Sequence, residues 1–172
     1  MGEKVITIFG TGRAKAGDAA YEMAYRAGKV LAEAGFVVAN GGYGGTMKAA
    51  AKGATEGGGE TIGVTCTAFR GRANGYVSRE IVTSSLDERL DTLIKLGRAY
   101  IVLPGGTGTL LELAKVWELK NKGFLESDKP IILLGRFWKA LIDLIASDDA
   151  GSSGFINQVD EAEQIRELIT RI

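Results

Sequence analysis

The sequence predicts an α/β fold: a Rossmann-like, doubly wound, mostly parallel sheet of about seven strands with helices on both faces. Three observations predict it. Short runs such as Val5-Ile6-Thr7-Ile8-Phe9, Ala99-Tyr100-Ile101-Val102-Leu103 and Ile131-Ile132-Leu133-Leu134 are solidly apolar, as strands covered on both sides are. Segments with apolar residues at helical spacing alternate with them. Glycine turns at 10–12, 41–45 and 105–108 each follow such a run, at the sheet edge where ligands bind in this class of fold.

In order, Lys4–Phe9 reads as a first strand ending in Gly10-Thr11-Gly12-Arg13. Asp18 caps a helix to about Ala34, with Met23, Ala27, Val30 and Leu31 on its apolar face, and Gly35 stops it. Phe36–Ala39 is a second strand. The turn Gly41-Gly42-Tyr43-Gly44-Gly45-Thr46 opens an alanine-rich helix to about Thr55. Thr61–Thr65 is a third strand. Residues 68–78, with Arg70, Arg72 and Asn74, show no periodicity and read as a mobile loop. Glu80–Thr83 is a fourth strand, and Ser85-Leu86-Asp87-Glu88 a capping-box pattern opening a helix to about Leu96. Ala99–Leu103 is a fifth strand; the helix after it ends near Gly123. Pro130–Leu134 is a sixth strand, Phe137–Ala146 a helix, 148–154 a polar loop and Phe155–Val159 a last strand before a helix from about Glu161. At 172 residues, with neither repeat nor linker, 1–172 reads as a single Rossmann-type domain.

Composition narrows the chemistry. Twenty-one basic and 21 acidic residues balance, which argues against a nucleic acid polymer as partner. One cysteine, Cys66, excludes an internal disulfide and fits a reducing cytoplasm; it reads as a small buried hydrophobe. No run is long and apolar enough to span a membrane, and Met1-Gly2-Glu3-Lys4 carries no signal-peptide pattern. Histidine is absent, which removes His-based acid–base catalysis, Ser-His and Cys-His nucleophiles and His-ligated metals. Carboxylates, Arg, Lys, Tyr, Thr and backbone dipoles remain; no metal and no cofactor is expected.

The chain is organised around Val102-Leu103-Pro104-Gly105-Gly106-Thr107-Gly108-Thr109-Leu110-Leu111-Glu112. A strand that turns through glycines into a helix leaves unpaired amides at the helix start, and such amides bind phosphate. It is not a dinucleotide fingerprint, since Lys15 stands where the third glycine of the first turn belongs and the second strand ends at Asn40 rather than an acid. Nor is it a P-loop, for neither later glycine loop carries Gly-Lys followed by Ser or Thr.

Pro104 to Glu112 resembles the PGGxGTxxE motif of the LOG-like proteins, and the similarity runs from the first strand to about Leu144. Gly41–Met47 looks like that family's second glycine turn, and Arg89 stands at the spacing of its essential arginine. The resemblance implies hydrolysis of a nucleoside 5′-monophosphate to free base and ribose 5-phosphate, and a homodimer. A related branch resembles the molybdenum-cofactor carriers, which implies a binder that does not hydrolyse. The chain departs from the LOG pattern in Leu86-Asp87-Glu88-Arg89-Leu90, which lacks the flanking lysine and histidine, and in Thr107. A lysine decarboxylase, the label once given to such sequences, is poor: pyridoxal chemistry needs a dedicated lysine, and none is singled out.

Roles follow, each with a plainer alternative. Gly105, Gly106, Thr107, Gly108 and Thr109 bind phosphate, or form only a tight turn. Arg89 lies beside the apolar stripe of its helix and binds the ligand, or forms a structural ion pair, even with Glu112. Glu112 stabilises an oxocarbenium-like charge and activates water, or merely completes a capping box with Thr109. Thr11, Arg13, Gly44, Gly45 and Thr46 form the opposite wall, or are ordinary loop. Arg70 and Arg72 close over the ligand, or are solvated. Trp117, Phe124 and Trp138 belong to core or dimer interface.

Overall fold

The computed structural model describes residues 3–170 and 172, so the reading of Met1-Gly2 lies outside it. Seven strands form one sheet: β1 Val5–Phe9, β2 Val37–Asn40, β3 Thr61–Cys66, β4 Arg79–Thr83, β5 Ala99–Val102, β6 Ile131–Leu134 and β7 Ile156–Val159. Among the described residues six helices accompany them: α1 Ala19–Glu33, α2 Thr46–Glu56, α3 Leu86–Leu96, α4 Thr107–Asn121, α5 Lys139–Asp148 and α6 Ile165–Ile169. Short 3-10 turns lie at Ser152–Phe155 and Ala162–Gln164.

The strand order is β4-β3-β2-β1-β5-β6-β7, and every neighbouring pair is parallel. The apolar runs required this arrangement: β1, β3, β5 and β6 are buried throughout, so both faces need cover. On one face Ile6, Ile8, Val38 and Ile101 pack with Ala24, Ala27 and Leu31 of α1, Ala50 of α2 and Ile165 of α6. On the other, Phe9, Val64, Tyr100 and Val102 pack with Leu90 and Leu93 of α3 and Leu113, Val116 and Trp117 of α4. Trp138 is buried there too, its Nε1 donating to Leu103 O at 3.0 Å; Phe124, by contrast, is 78% exposed.

The chain runs outward from β1 to β4, then returns beneath the sheet through α3 to β5 on the other side of β1. The direction of winding reverses between β1 and β5. At such a point the loops after the two strands diverge and leave a crevice. The loops concerned are 10–18 and 103–106.

Some boundaries differ from the sequence reading, each for a local reason. Asp18 stands at the N-cap position of α1 but its side chain does not cap the helix: the carboxylate accepts from Lys15 N at 2.8 Å instead of a helix amide. At α3, Ser85 Oγ accepts from Glu88 N at 3.1 Å, while the Glu88 carboxylate accepts from Ser84 N at 2.7 Å, one residue further back than a capping box requires. The 148–154 loop holds the end of α5 and the start of a 3-10 turn, and the final helix is preceded by another. Residues 67–78, which join parallel neighbours without a helix, are pinned rather than loose. Asn74 N and Nδ2 donate to Gly42 O at 2.8 and 3.0 Å, and Nδ2 to Tyr43 O at 2.9 Å.

Candidate active site

The start of α4 is bare. Gly106 is its N-cap, no side chain caps it, and no acid stands in its first turn. Among the described residues the amides of Thr107, Gly108 and Thr109 have no protein acceptor; the first helical hydrogen bond is Leu110 N to Gly106 O at 2.9 Å. These amides carry the positive end of a 15-residue helix. Because α4 begins at Thr107, Thr109 is its third residue and not its cap, so Thr109 and Glu112 form no capping box. Thr109 is instead 2% exposed, and its Oγ1 has no hydrogen-bond partner among the described residues. It is packed on Gly105, where a Cβ would stand 2.1 Å from that oxygen. A buried hydroxyl without a partner costs about 1–3 kcal/mol, which an incoming acceptor would relieve.

The loops after β1 and β2 pack on each other. Thr46 N and Oγ1 both donate to Thr11 O, at 2.9 and 3.1 Å, and Gly45 packs directly on the same backbone. Thr46 is thus buried and internally bonded, whereas Gly44 and the Arg13 side chain are exposed at the loop tips. Thr11 Oγ1 accepts from Arg13 N at 3.2 Å. Asn40, where a dinucleotide site would carry an acid, organises the turn: its Oδ1 accepts from Gly42 N at 2.8 Å and its Nδ2 donates to Met47 O at 3.1 Å. This is an Asx turn, and Asn-Gly-Gly was a legible signal for it.

Arg89 and Glu112 approach from the face covered by α3 and α4. Arg89 is 8% exposed, and its Nε donates to Val64 O at 2.7 Å and its Nη2 to Gly41 O at 3.1 Å. The guanidinium carbon lies 5.5 Å from the ring centres of both Tyr43 and Phe69. Among the described residues it has no carboxylate within 4.0 Å, so the ion pair with Glu112 does not form. Glu112, half-buried on the second turn of α4, is pushed up to about 7 by desolvation, with the Arg89 charge pulling the other way. A carboxyl poised there exchanges a proton readily at neutral pH.

Arg70 and Arg72 are exposed on the 67–78 segment. Cys66 is buried and free. Two residues the sequence reading passed over, Tyr43 and Phe69, stand next to Arg89; an aromatic in a glycine turn was the visible signal for the first, and nothing local marked the second. Among the described residues no cluster suits a metal ion, and no helix is long and apolar enough to cross a membrane.

Known proteins resemble the chain along most of its length. It is 37% identical over 117 residues to the cytokinin riboside 5′-monophosphate phosphoribohydrolase of Mycobacterium tuberculosis, a match spanning 66% of this chain and 61% of that protein. It is 31% identical over 170 residues to the cytokinin riboside 5′-monophosphate phosphoribohydrolase LOG of Oryza sativa, spanning 94% of this chain and 69% of that protein. The molybdenum cofactor binding protein of Rippkaea orientalis superposes with a TM-score of 0.83 at 26% identity, covering 99% of this chain and 98% of that one. A family model describing the SLOG cluster 4 proteins matches residues 3–166, and the chain belongs to that family.

Proposed function

We propose that the protein binds a nucleoside 5′-monophosphate and hydrolyses its N-glycosidic bond, releasing the free base and ribose 5-phosphate. The observation that carries this is the placement of Glu112, a half-buried carboxyl on the second turn of a helix whose first amides are bare. The phosphate sits on the amides of Gly105–Thr109 and takes the hydroxyls of Thr107 and Thr109. Thr11, Gly44, Gly45, Thr46 and Arg13 form the facing wall. That anchor brings the ribose to Glu112.

Cleavage then needs little else. As the bond between the anomeric carbon and the base lengthens, its electron pair leaves with the base and positive charge grows on the ribose. The Glu112 carboxylate stabilises that charge and takes a proton from water, whose oxygen adds to the anomeric carbon. The proton is then available to the departing base. The buried Arg89 cation keeps a useful share of Glu112 ionised at neutral pH. The mycobacterial and rice relatives support this reading through the activity in their names.

A second reading is favoured by one observation. The Rippkaea orientalis protein, described as binding the molybdenum cofactor, matches almost the full length of this chain. On that reading the same loops hold a phosphorylated ligand without cleaving it. Incubation of the pure protein with AMP, GMP, CMP and isopentenyl-AMP, with free base followed, separates the two. Release of base that is lost in Glu112→Gln while nucleotide still binds supports hydrolysis. A rise in melting temperature with a nucleotide and no base released supports the carrier.

A further inference from the structure

We propose that Tyr43 and Phe69 are positioning residues: together they hold the Arg89 guanidinium against the glycine turn, so that the charge presented toward Glu112 depends on the 67–78 segment. The inference rests on the reading of Glu112 as the reacting carboxylate.

A guanidinium that is 8% exposed with no carboxylate in reach among the described residues needs other compensation. Two backbone carbonyls, of Val64 and Gly41, take part of it. Nη2 also donates to Met47 Sδ at 3.9 Å, and two ring faces, each 5.5 Å from Cζ, lie within the range where an aromatic quadrupole attracts a cation. The rings form a tilted pair, with centres 6.0 Å apart and planes at 51°.

Both rings are tied to one residue. Tyr43 Oη accepts from Cys66 N at 2.8 Å and donates to Cys66 O at 3.2 Å; the same carbonyl accepts from Phe69 N at 3.1 Å. The end of β3 therefore sets both faces of the clamp. Tyr43 is further fixed by Asn74, which donates to its carbonyl. Phe69 is 40% exposed, so core packing does not account for it. Its visible contribution is the face it turns to Arg89. A shift of the segment that carries Phe69 would release one side of the cation and change the field at Glu112.

The test uses Phe69, whose exposure lets variants fold, and melting temperatures check that they do. In the parent protein the Arg89 Nε–H, bonded to Val64 O, is expected to give a slowly exchanging side-chain signal in a ¹⁵N–¹H spectrum. Phe69→Leu keeps an apolar side chain but removes the π face. It is expected to exchange about tenfold faster and to lower kcat about tenfold with KM within about threefold. Phe69→Tyr restores both. Parent-like exchange in Phe69→Leu overturns the clamp. Faster exchange with kcat unchanged overturns its link to Glu112. If the parent cleaves none of AMP, GMP and CMP, the hydrolase reading falls and takes that link with it, while the exchange rates still decide the clamp.

Discussion

Gly41 and Arg89 fit one another so closely that any side chain at position 41 would have to displace the guanidinium. A Cβ there would stand 1.8 Å from Nη2 and 3.0 Å from Cζ of Arg89, and 2.6 Å from Met47 Sδ. The glycine brings its carbonyl into reach of the guanidinium, which donates to it at 3.1 Å. The contact joins the turn after β2 to the first turn of α3, residues 48 apart in sequence.

Gly41→Ala is expected to cost about 1–3 kcal/mol, the usual penalty for overpacking a filled site. Denaturant unfolding measures it. Pairing the change with Arg89→Met should recover part of the loss, since the clash is with the guanidinium; full additivity of the two changes would contradict the contact.

Thr109→Val removes a hydroxyl that has no partner and keeps the shape of the side chain. The free protein should be unchanged in stability or slightly raised, because an unsatisfied buried group is lost. The stabilisation conferred by inorganic phosphate or ribose 5-phosphate should shrink. Thermal melts with and without each ligand test both halves.

Glu112 predicts a pH dependence with a definite sign. Its ordinary value is 4.5 and burial raises it to about 7 in the folded protein. Between those values the native state keeps a proton that the unfolded chain has released. Stability contributed by the neutral carboxyl is thus present below 4.5, declines as pH rises toward 7 and is gone above it. Glu112→Gln should flatten that slope. Turnover should move oppositely, rising with pH through about 7 as the carboxylate forms. A kcat that falls across that interval would contradict a role for the ionised form.

Asn74→Ala removes the side-chain bonds from Nδ2 to Gly42 O and Tyr43 O and from Tyr76 N to Oδ1. Loss of about 1–3 kcal/mol is expected. The 67–78 segment should open more often, so trypsin should cut after Arg70 and Arg72 faster than in the parent. Equal cleavage rates would show that Asn74 does not hold the segment.

The class of fold was legible in the amino-acid order alone. Uniform apolar runs such as Ile131–Leu134 have no wet face, so they require a sheet covered on both sides, and Pro104–Thr109 marks a strand-to-helix turn through local conformational rules alone. The environment of the polar side chains around that turn came from tertiary contacts. That Thr109 is buried without a partner, that Glu112 is desolvated, and that Arg89 bonds to Val64 and Gly41 between Tyr43 and Phe69 all depend on contacts between distant segments. A carboxylate and a guanidinium have ordinary chemistry in an extended chain. Only the loss of water around Glu112, and the dipoles and charges that replace it, bring its titration near neutrality.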